Sequence, residues 1–188
     1  SVAYLVVGSL MLAAVLACHG VAVGRSLFHG VCIFMAGWDT AGFCPQSQNV
    51  LYYHSFLFEL VSAAIFLLGA TSFAVHYAVW TGRFRELTRN FEIRVFVVTI
   101  LLTFLITTAG FARPAADFPN LLSFFRATFY HTVSAHTGVG YTNLTLPELA
   151  SWSDLSLMGL VLAMAFGGCA NSTAGGIKVL RLGILYKH

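Results

Sequence analysis

The sequence predicts an all-α integral membrane fold made of two helix–pore-loop–helix repeats. Three observations indicate this class. First, 58% of the 188 residues are hydrophobic and only 9% are charged, which is outside the usual balance of soluble domains. Second, two polar stretches that contain glycine lie between long apolar runs. Third, four uncharged runs approach or exceed the roughly 18 residues of a bilayer-spanning helix; they are residues 1–24, 60–82, 95–112 and 155–177.

Two further apolar segments, 27–38 and 121–135, are too short to span a bilayer. A segment of about a dozen residues is typical of a re-entrant or buried helix. Each one leads into a polar stretch, "TAGF" at 40–43 or "TGVGY" at 137–141. We therefore expect each unit to contain an outward helix, a short half-helix, a polar glycine stretch and an inward helix.

The two halves of the chain resemble each other when one is shifted by 98 positions. The shift aligns Gly42 with Gly140 and Gly69 with Gly167, and it keeps the order of the other matches. A repeat of this kind sets the architecture before any single motif is interpreted. It predicts one unit at 1–90 and a second at 91–188, the second with a glycine-rich, broken inner helix.

Basic residues predict the orientation of the chain in the membrane. Seven of the ten lie in the 83–94 loop or after residue 177, which leaves Arg25, Arg113 and Arg126 for the other side. The positive-inside rule places the first group in the cytoplasm. The first apolar run has no basic n-region and no small-residue cleavage site, so we expect no removable signal peptide. Without a basic patch interleaved with aromatic residues, we expect no nucleic-acid partner.

The polar stretches suggest a site for a dehydrated cation. Glycine permits backbone angles that point successive carbonyls the same way, and a row of carbonyl oxygens can replace the hydration shell of an ion. The negative ends of the half-helices would favour a cation. The alternative is that each glycine only ends a short helix; two stretches in register favour the filter. The predicted filter residues are Thr40, Ala41, Gly42, Phe43, Thr137, Gly138, Val139, Gly140 and Tyr141.

The last apolar run contains "GGCANSTAGGIKVLR", residues 167–181. Glycine pairs support a helix poorly, because each glycine costs about 1 kcal/mol relative to alanine. We expect this stretch to unwind and line a water-filled path; the alternative is a small-residue face for helix packing. The residues predicted to form this loop are Gly167, Gly168, Asn171, Ser172, Thr173, Gly175 and Gly176.

Charged side chains in or near the apolar runs need an explanation. We expect Lys178 to extend to the headgroups at the inner boundary, with a gating contact to a carboxylate as the alternative. Glu59 is expected to face water or form an ion pair. Asp39 either adds negative potential at the pore mouth or is a solvated interfacial carboxylate. Neither the histidines nor the cysteines have metal-type spacing, so we predict no cofactor and no enzymatic activity.

Several of these motifs resemble those of one family. "GGCANSTAGGIKVLR" closely resembles the signature in the third repeat of Trk-type potassium transporter membrane subunits, of the Trk/Ktr/HKT superfamily. "HTGVGYTN" is similar to the filter before it, and "GRFRELTRNFEIRVF" to the link between the second and third repeats. The resemblance implies a TrkH-like chain that holds the second and third repeats, half of a four-repeat potassium-channel-like pore. It implies that Gly42 and Gly140 offer carbonyls to K+ and that the 167–176 loop obstructs the pore below them.

The resemblance also implies a function and partners. The expected function is K+ uptake across the bacterial inner membrane, with K+ bound by backbone carbonyls alone. The expected partners are the lipid bilayer, a second copy in a homodimer, and a cytosolic, nucleotide-binding regulatory subunit of the TrkA type. Only two of four repeats are present, so a fragment, a split subunit and part of a longer chain all remain open. The alternative functions are a non-conducting structural or assembly subunit and a histidine-based redox subunit.

Overall fold

The computed structural model describes residues 2–111, 118 and 120–187, so Arg113 lies outside the described residues. Within these ranges the chain is helical and has no β-strand, only one isolated bridge pair. The predicted all-α class is confirmed. The helices are α1 (Val2–Cys18), α2 (Val23–Trp38), α3 (Phe56–Gly69), α4 (Phe73–Trp80), α5 (Arg85–Arg89), α6 (Phe91–Ala109), α7 (Leu121–Thr137), α8 (Leu146–Ala150), α9 (Asp154–Ala165) and α10 (Val179–Lys187), with a 3-10 helix at Asn49–Tyr53.

Side-chain caps set where helices α3 and α9 begin. Ser55 accepts a hydrogen bond from the Phe58 amide at 3.3 Å at the start of α3. Ser153 starts α9 in the same way, accepting from the Ser156 amide at 3.2 Å. Such a cap satisfies one of the free N–H groups of a first turn. Ser55 and Ser153 are 98 positions apart, the same shift that aligns the two polar glycine stretches.

The predicted spans differ from the observed helices in length and shape. Only α6, at 19 residues, is long and apolar enough among the described residues to cross a bilayer by itself. Helix α1 has 17 residues and α9 has 12. The apolar run over 60–82 is not one straight helix, because α3 and α4 meet at a bend of 104°, and the two pass the length and apolarity requirements of a span only together. There the carbonyls of Gly69 and Ala70 accept hydrogen bonds from the 167–176 segment.

The two half-helices are longer than expected. Helix α2 has 16 residues and α7 has 17, against the dozen that the apolar segments suggested. Helix α2 begins one turn before Leu27, and this first turn contains the less apolar residues Gly24, Arg25 and Ser26. Helix α7 continues past Ala135 to Thr137, up to a left-handed glycine at 138.

The two predicted units are joined mainly through α3 and α7, which pack against each other. Glu59 of α3, 4% exposed, accepts two hydrogen bonds from the Arg126 guanidinium of α7, at 2.5 and 2.6 Å. The Ser62 and Tyr130 hydroxyls lie 3.0 Å apart on the same two helices. Planar two-point pairing of this kind is strong and directional. The expected ion pair of Glu59 is thus present, and it fixes α7 against α3.

Candidate functional site

The turns that follow α2 and α7 share one backbone conformation. Thr40 and Gly42 have φ angles of +51° and +72°. Their counterparts 98 positions later, Gly138 and Gly140, have +78° and +75°. Glycine enters this left-handed region without the steric cost that a side chain adds. The chain therefore leaves both half-helices along equivalent paths.

Equivalent hydrogen bonds hold the two turns. In the first, the Thr40 amide donates to the Gly37 carbonyl at 3.2 Å, and the Gly42 amide donates to the Ala36 carbonyl at 3.3 Å. The second turn repeats both bonds, from Gly138 to Ala135 at 3.0 Å and from Gly140 to Ser134 at 3.5 Å. These bonds satisfy carbonyls that a helix end otherwise leaves free.

The side chains of the second segment alternate between the interior and an open face. Thr137, Val139 and Tyr141 are buried, whereas Gly138 and Gly140 are exposed. A Cβ on Gly140 would meet no atom within 4 Å. The open face of this segment is therefore backbone alone, which is the surface that a carbonyl-lined ion path requires.

The first segment is less regular. Thr40 is buried, whereas its counterpart Gly138 is exposed. Ala41 is exposed, Gly42 is half-buried and Phe43 is 79% exposed. Asp39, which ends α2, is exposed as well. The first turn thus repeats the backbone of the second, with different surroundings for its side chains.

The two segments touch each other. A Cβ on Gly42 would overlap the Val139 carbonyl oxygen, so only glycine fits there. The buried Tyr141 hydroxyl donates to the Phe43 carbonyl at 3.3 Å and to the Ile33 carbonyl at 3.1 Å. Sequence reasoning missed this link, although a buried tyrosine hydroxyl requires a partner.

Buried hydroxyls also hold the last carbonyl of each segment. The Phe43 carbonyl accepts from Tyr141, and the Tyr141 carbonyl accepts from the Ser134 hydroxyl at 2.7 Å. A carbonyl oxygen has two lone pairs, so each one can still accept a second partner. These bonds restrict the movement of both oxygens before any ligand arrives.

Residues 167–176, which we name the glycine loop, are not helical. The loop closes at its base, where the Gly167 amide donates to the Ile177 carbonyl at 2.9 Å and the Ile177 amide donates to the Ala165 carbonyl at 2.9 Å. A Cβ on Gly167 would overlap the Gly175 carbonyl. Gly176 has a φ of +72°. The glycines thus allow the two ends of the loop to approach each other.

The glycine loop lies against the ends of α2 and α3. The Thr173 hydroxyl is 2.8 Å from both the Trp38 and the Gly69 carbonyls, and the Cys169 amide donates to the Ala70 carbonyl at 2.9 Å. A Cβ on Gly138 would lie 4.0 Å from the Gly175 amide nitrogen. The loop therefore reaches the second turn as well as the first unit.

The remaining polar residues of the loop shape its tip. Asn171 has a φ of +54°, and its carbonyl accepts from the Phe73 amide at 3.2 Å. The Ser172 hydroxyl donates to the Cys169 carbonyl at 2.6 Å. Backbone carbonyls accept both bonds. Asn171, which the sequence analysis singled out, is exposed.

Two charged side chains hold the glycine loop. The Lys178 ammonium donates to the Ala174 carbonyl, so the expectation that it extends to the headgroups is wrong. The Ala174 carbonyl lies in a loop that lacks helical pairing, so it is free to accept this bond. On the other side, the Glu92 carboxylate of α6 accepts from the Ala170 amide. Sequence reasoning did not single out Glu92.

Three buried histidines each lie within hydrogen-bonding distance of a threonine hydroxyl. His76 lies 2.9 Å from the Thr71 hydroxyl, His131 lies 2.8 Å from that of Thr142, and His136 lies 2.9 Å from that of Thr99. In the part of the chain that the structure describes, no three His, Cys, Asp or Glu residues are grouped to hold a metal ion.

Comparisons with known proteins show the family of this chain. A family model described as "TrkH: Cation transport protein" matches residues 2–188. The chain is similar to the "Trk system potassium uptake protein TrkG" of Escherichia coli, at 32% identity over 96% of this chain and 36% of the relative. It is similar to the "Trk system potassium uptake protein TrkH" of Halomonas elongata, at 31% identity over 78% of this chain and 30% of the relative.

A solved structure shows the same fold. It is the crystal structure of the potassium transporter TrkH from Vibrio parahaemolyticus, with a TM-score of 0.79 and 22% identity. The match covers 95% of this chain and 37% of that one. The chain thus spans about a third of the length of the proteins that it matches.

Proposed function

Because the chain belongs to the TrkH family of cation transport proteins, we propose that it forms part of a membrane protein that carries K+ across the bacterial inner membrane. Relatives at 31% and 32% identity are named as potassium uptake proteins, and this supports K+ as the transported ion. Membership of this family also supports the expectation that the protein is a transporter and not an enzyme. The two predicted units, 1–90 and 91–188, would supply half of a four-unit pore.

The paired turns carry the proposal. Two backbone segments with matching positive φ angles and matching hydrogen bonds meet at one place, where Gly42 contacts Val139. Carbonyl oxygens from 40–43 and 137–141 would replace the hydration shell of K+. The C-terminal ends of α2 and α7 would add partial negative charge there. No side-chain ligand and no cofactor are required for this step.

The glycine loop would act as the gate. It lies against both half-helix ends, through Thr173 on the Trp38 carbonyl and through the approach of Gly175 to Gly138. A loop in this position would obstruct an ion that leaves the filter. Its many glycines would let it change conformation at low steric cost. Lys178 would stabilise the loop through the Ala174 carbonyl.

Assembly would complete the pore. The other units would come from the rest of a longer chain or from a separate subunit. A homodimer and a cytosolic, nucleotide-binding subunit of the TrkA type are the proposed partners. The basic loop at 83–94 and the C-terminal Arg181 would provide the cytoplasmic contact surface, since the positive-inside rule places both there.

A glycine substitution in the filter tests the proposal. Gly140→Ser in the full-length protein should lower the selectivity for K+ over Na+ in Rb+ and Na+ flux assays, because a side chain would enter the open face of the second segment. Gly20→Ser is the matched control. Gly20 also has a positive φ, +82°, with no atom within 4 Å of a Cβ, and it lies between α1 and α2, outside the filter.

The control separates selectivity from backbone strain. Both variants carry the about 1–2 kcal/mol cost of a side chain in the left-handed region, so both should lose similar stability. Only Gly140→Ser should change ion preference. Equal selectivity in the two variants would contradict a filter role for Gly140. Full-length protein without any Rb+ flux would favour the non-conducting structural subunit.

A further inference from the structure

Glu92 occupies an unusual position for an acidic residue. It lies in the first turn of α6 and is 9% exposed. Its carboxylate accepts a hydrogen bond from the Ala170 amide of the glycine loop. Burying a carboxylate is costly unless hydrogen bonds compensate it. A buried acid at this site therefore indicates a specific task at the loop.

The other loop amides have different partners. Cys169 donates to the Ala70 carbonyl at 2.9 Å, and Thr173 donates to the Gly69 carbonyl at 3.2 Å. Both acceptors belong to the end of α3, in the first predicted unit. Ala170 alone of these three is bound by a side chain, and that side chain comes from the second unit. Glu92 of α6 and the end of α3 thus bind neighbouring amides of the same loop.

Glu92 is also connected to the basic segment 83–90. Asn90 caps α6 by accepting from the Glu92 amide at 2.9 Å, and the Asn90 amide donates to the backbone carbonyl of Glu86 at 2.9 Å. The Arg94 guanidinium donates to the Thr88 carbonyl at 2.8 Å. A displacement of the 83–90 segment would therefore move the first turn of α6, and the Glu92 carboxylate with it.

We infer that Glu92 is a positioning residue that holds the glycine loop against α3 and couples it to the cytoplasmic segment 83–90. The inference rests on the proposed function, in which the loop is the gate. Movement of segment 83–90 would withdraw the carboxylate from Ala170 and release the loop. The loop would then leave the half-helix ends, and ions would pass.

The first test measures Rb+ flux of the full-length protein in liposomes without a regulatory subunit. Glu92→Ala removes the acceptor and should raise flux on the order of tenfold, within the usual range of coupling between sites. Glu92→Gln retains an acceptor oxygen and should restore most of the wild-type rate. Asp154→Ala is the matched control, because Asp154 is also an acid in the first turn of a helix, α9, but is exposed and lies outside segment 83–90 and the glycine loop.

The direction of the change distinguishes the coupling role from a purely structural one. A variant that only misfolds conducts less, whereas a released gate conducts more. Flux in Glu92→Ala that is equal to or lower than in Asp154→Ala would overturn the inference. Higher flux in Glu92→Ala together with near wild-type flux in Glu92→Gln would support it.

A second measurement does not depend on ion flux. Cys169 lies in the glycine loop beside Ala170 and is 0% exposed, so it reports loop release directly. A charged thiol reagent, followed by mass spectrometry of the Cys169 peptide, should label Glu92→Ala faster than Asp154→Ala. Equal labelling rates would overturn the inference. If no variant and no wild type carries Rb+, the proposed function fails, and labelling still decides whether Glu92 holds the loop.

Discussion

The turns at Gly42 and Gly140 have the same backbone and different neighbours. Their φ angles differ by only a few degrees, +72° and +75°, and their amides bond to equivalent carbonyls. Gly42 is pressed against the Val139 carbonyl, whereas a Cβ on Gly140 would meet no atom within 4 Å. The same local backbone structure thus makes a close contact between the two segments at Gly42 and leaves an open face at Gly140.

The largest difference in stability is expected between the alanine variants of these two glycines. Gly42→Ala adds a clash with the Val139 carbonyl to the strain of a positive φ, so it should destabilise the full-length protein by more than about 3 kcal/mol. Gly140→Ala carries only the strain, about 1–2 kcal/mol. Thermal unfolding followed by size-exclusion fluorescence would measure both. Equal losses of stability in the two variants would show that the Val139 carbonyl moves away from residue 42 at little cost.

A smaller effect is expected at Tyr141, the residue that follows Gly140. Tyr141→Phe removes the hydroxyl that bonds to the Ile33 and Phe43 carbonyls, and the loss of such hydrogen bonds costs about 1–2 kcal/mol. Melting temperature and K+ over Na+ selectivity should both fall. Tyr186→Phe, at a 93% exposed tyrosine, is the control for removing a hydroxyl. A Tyr141→Phe protein with wild-type selectivity would mean that this hydroxyl does not order the filter.

The smallest effect should follow from making the two turns more alike. Ser134 lies 98 positions after Ala36, and its hydroxyl holds the Tyr141 carbonyl at 2.7 Å. Ser134→Ala gives the second turn the side chain of the first and should cost about 1 kcal/mol. The thermal unfolding shift relative to Ser47→Ala, at an exposed serine, measures it. No shift would mean that water replaces the hydroxyl.

Much of the fold followed from local patterns. The shift of 98 positions aligns Gly42 with Gly140 in the sequence, and the structure has equivalent turns at these two glycines. The prediction of an unwound stretch over 167–176 came from paired glycines, which support helices poorly. Such patterns can be recognised in the sequence because the conformational freedom of glycine is a property of the residue and does not depend on distant partners.

The bend between α3 and α4 was not predictable in the same way. Residues 60–82 read as one apolar run, and a single glycine at 69 is often tolerated inside a helix. The bend leaves backbone carbonyls without helical partners, and those of Gly69 and Ala70 are satisfied by Thr173 and Cys169, about 100 residues later. Lys178 was placed wrongly for a related reason, since its acceptor is a carbonyl that only the unwound loop exposes.

Composition, apolar run length and glycine position were sufficient to indicate a helical membrane chain with two flexible turns and one broken helix, because those properties act within a few residues. Tertiary structure decided which glycine is packed and which is open, which carbonyls at the bend find donors, and that Glu92 meets Ala170. Each of these depends on a partner far away in the chain. Hydrogen bonds and steric contacts are short-ranged in space, so only the folded arrangement determines which distant groups come within reach.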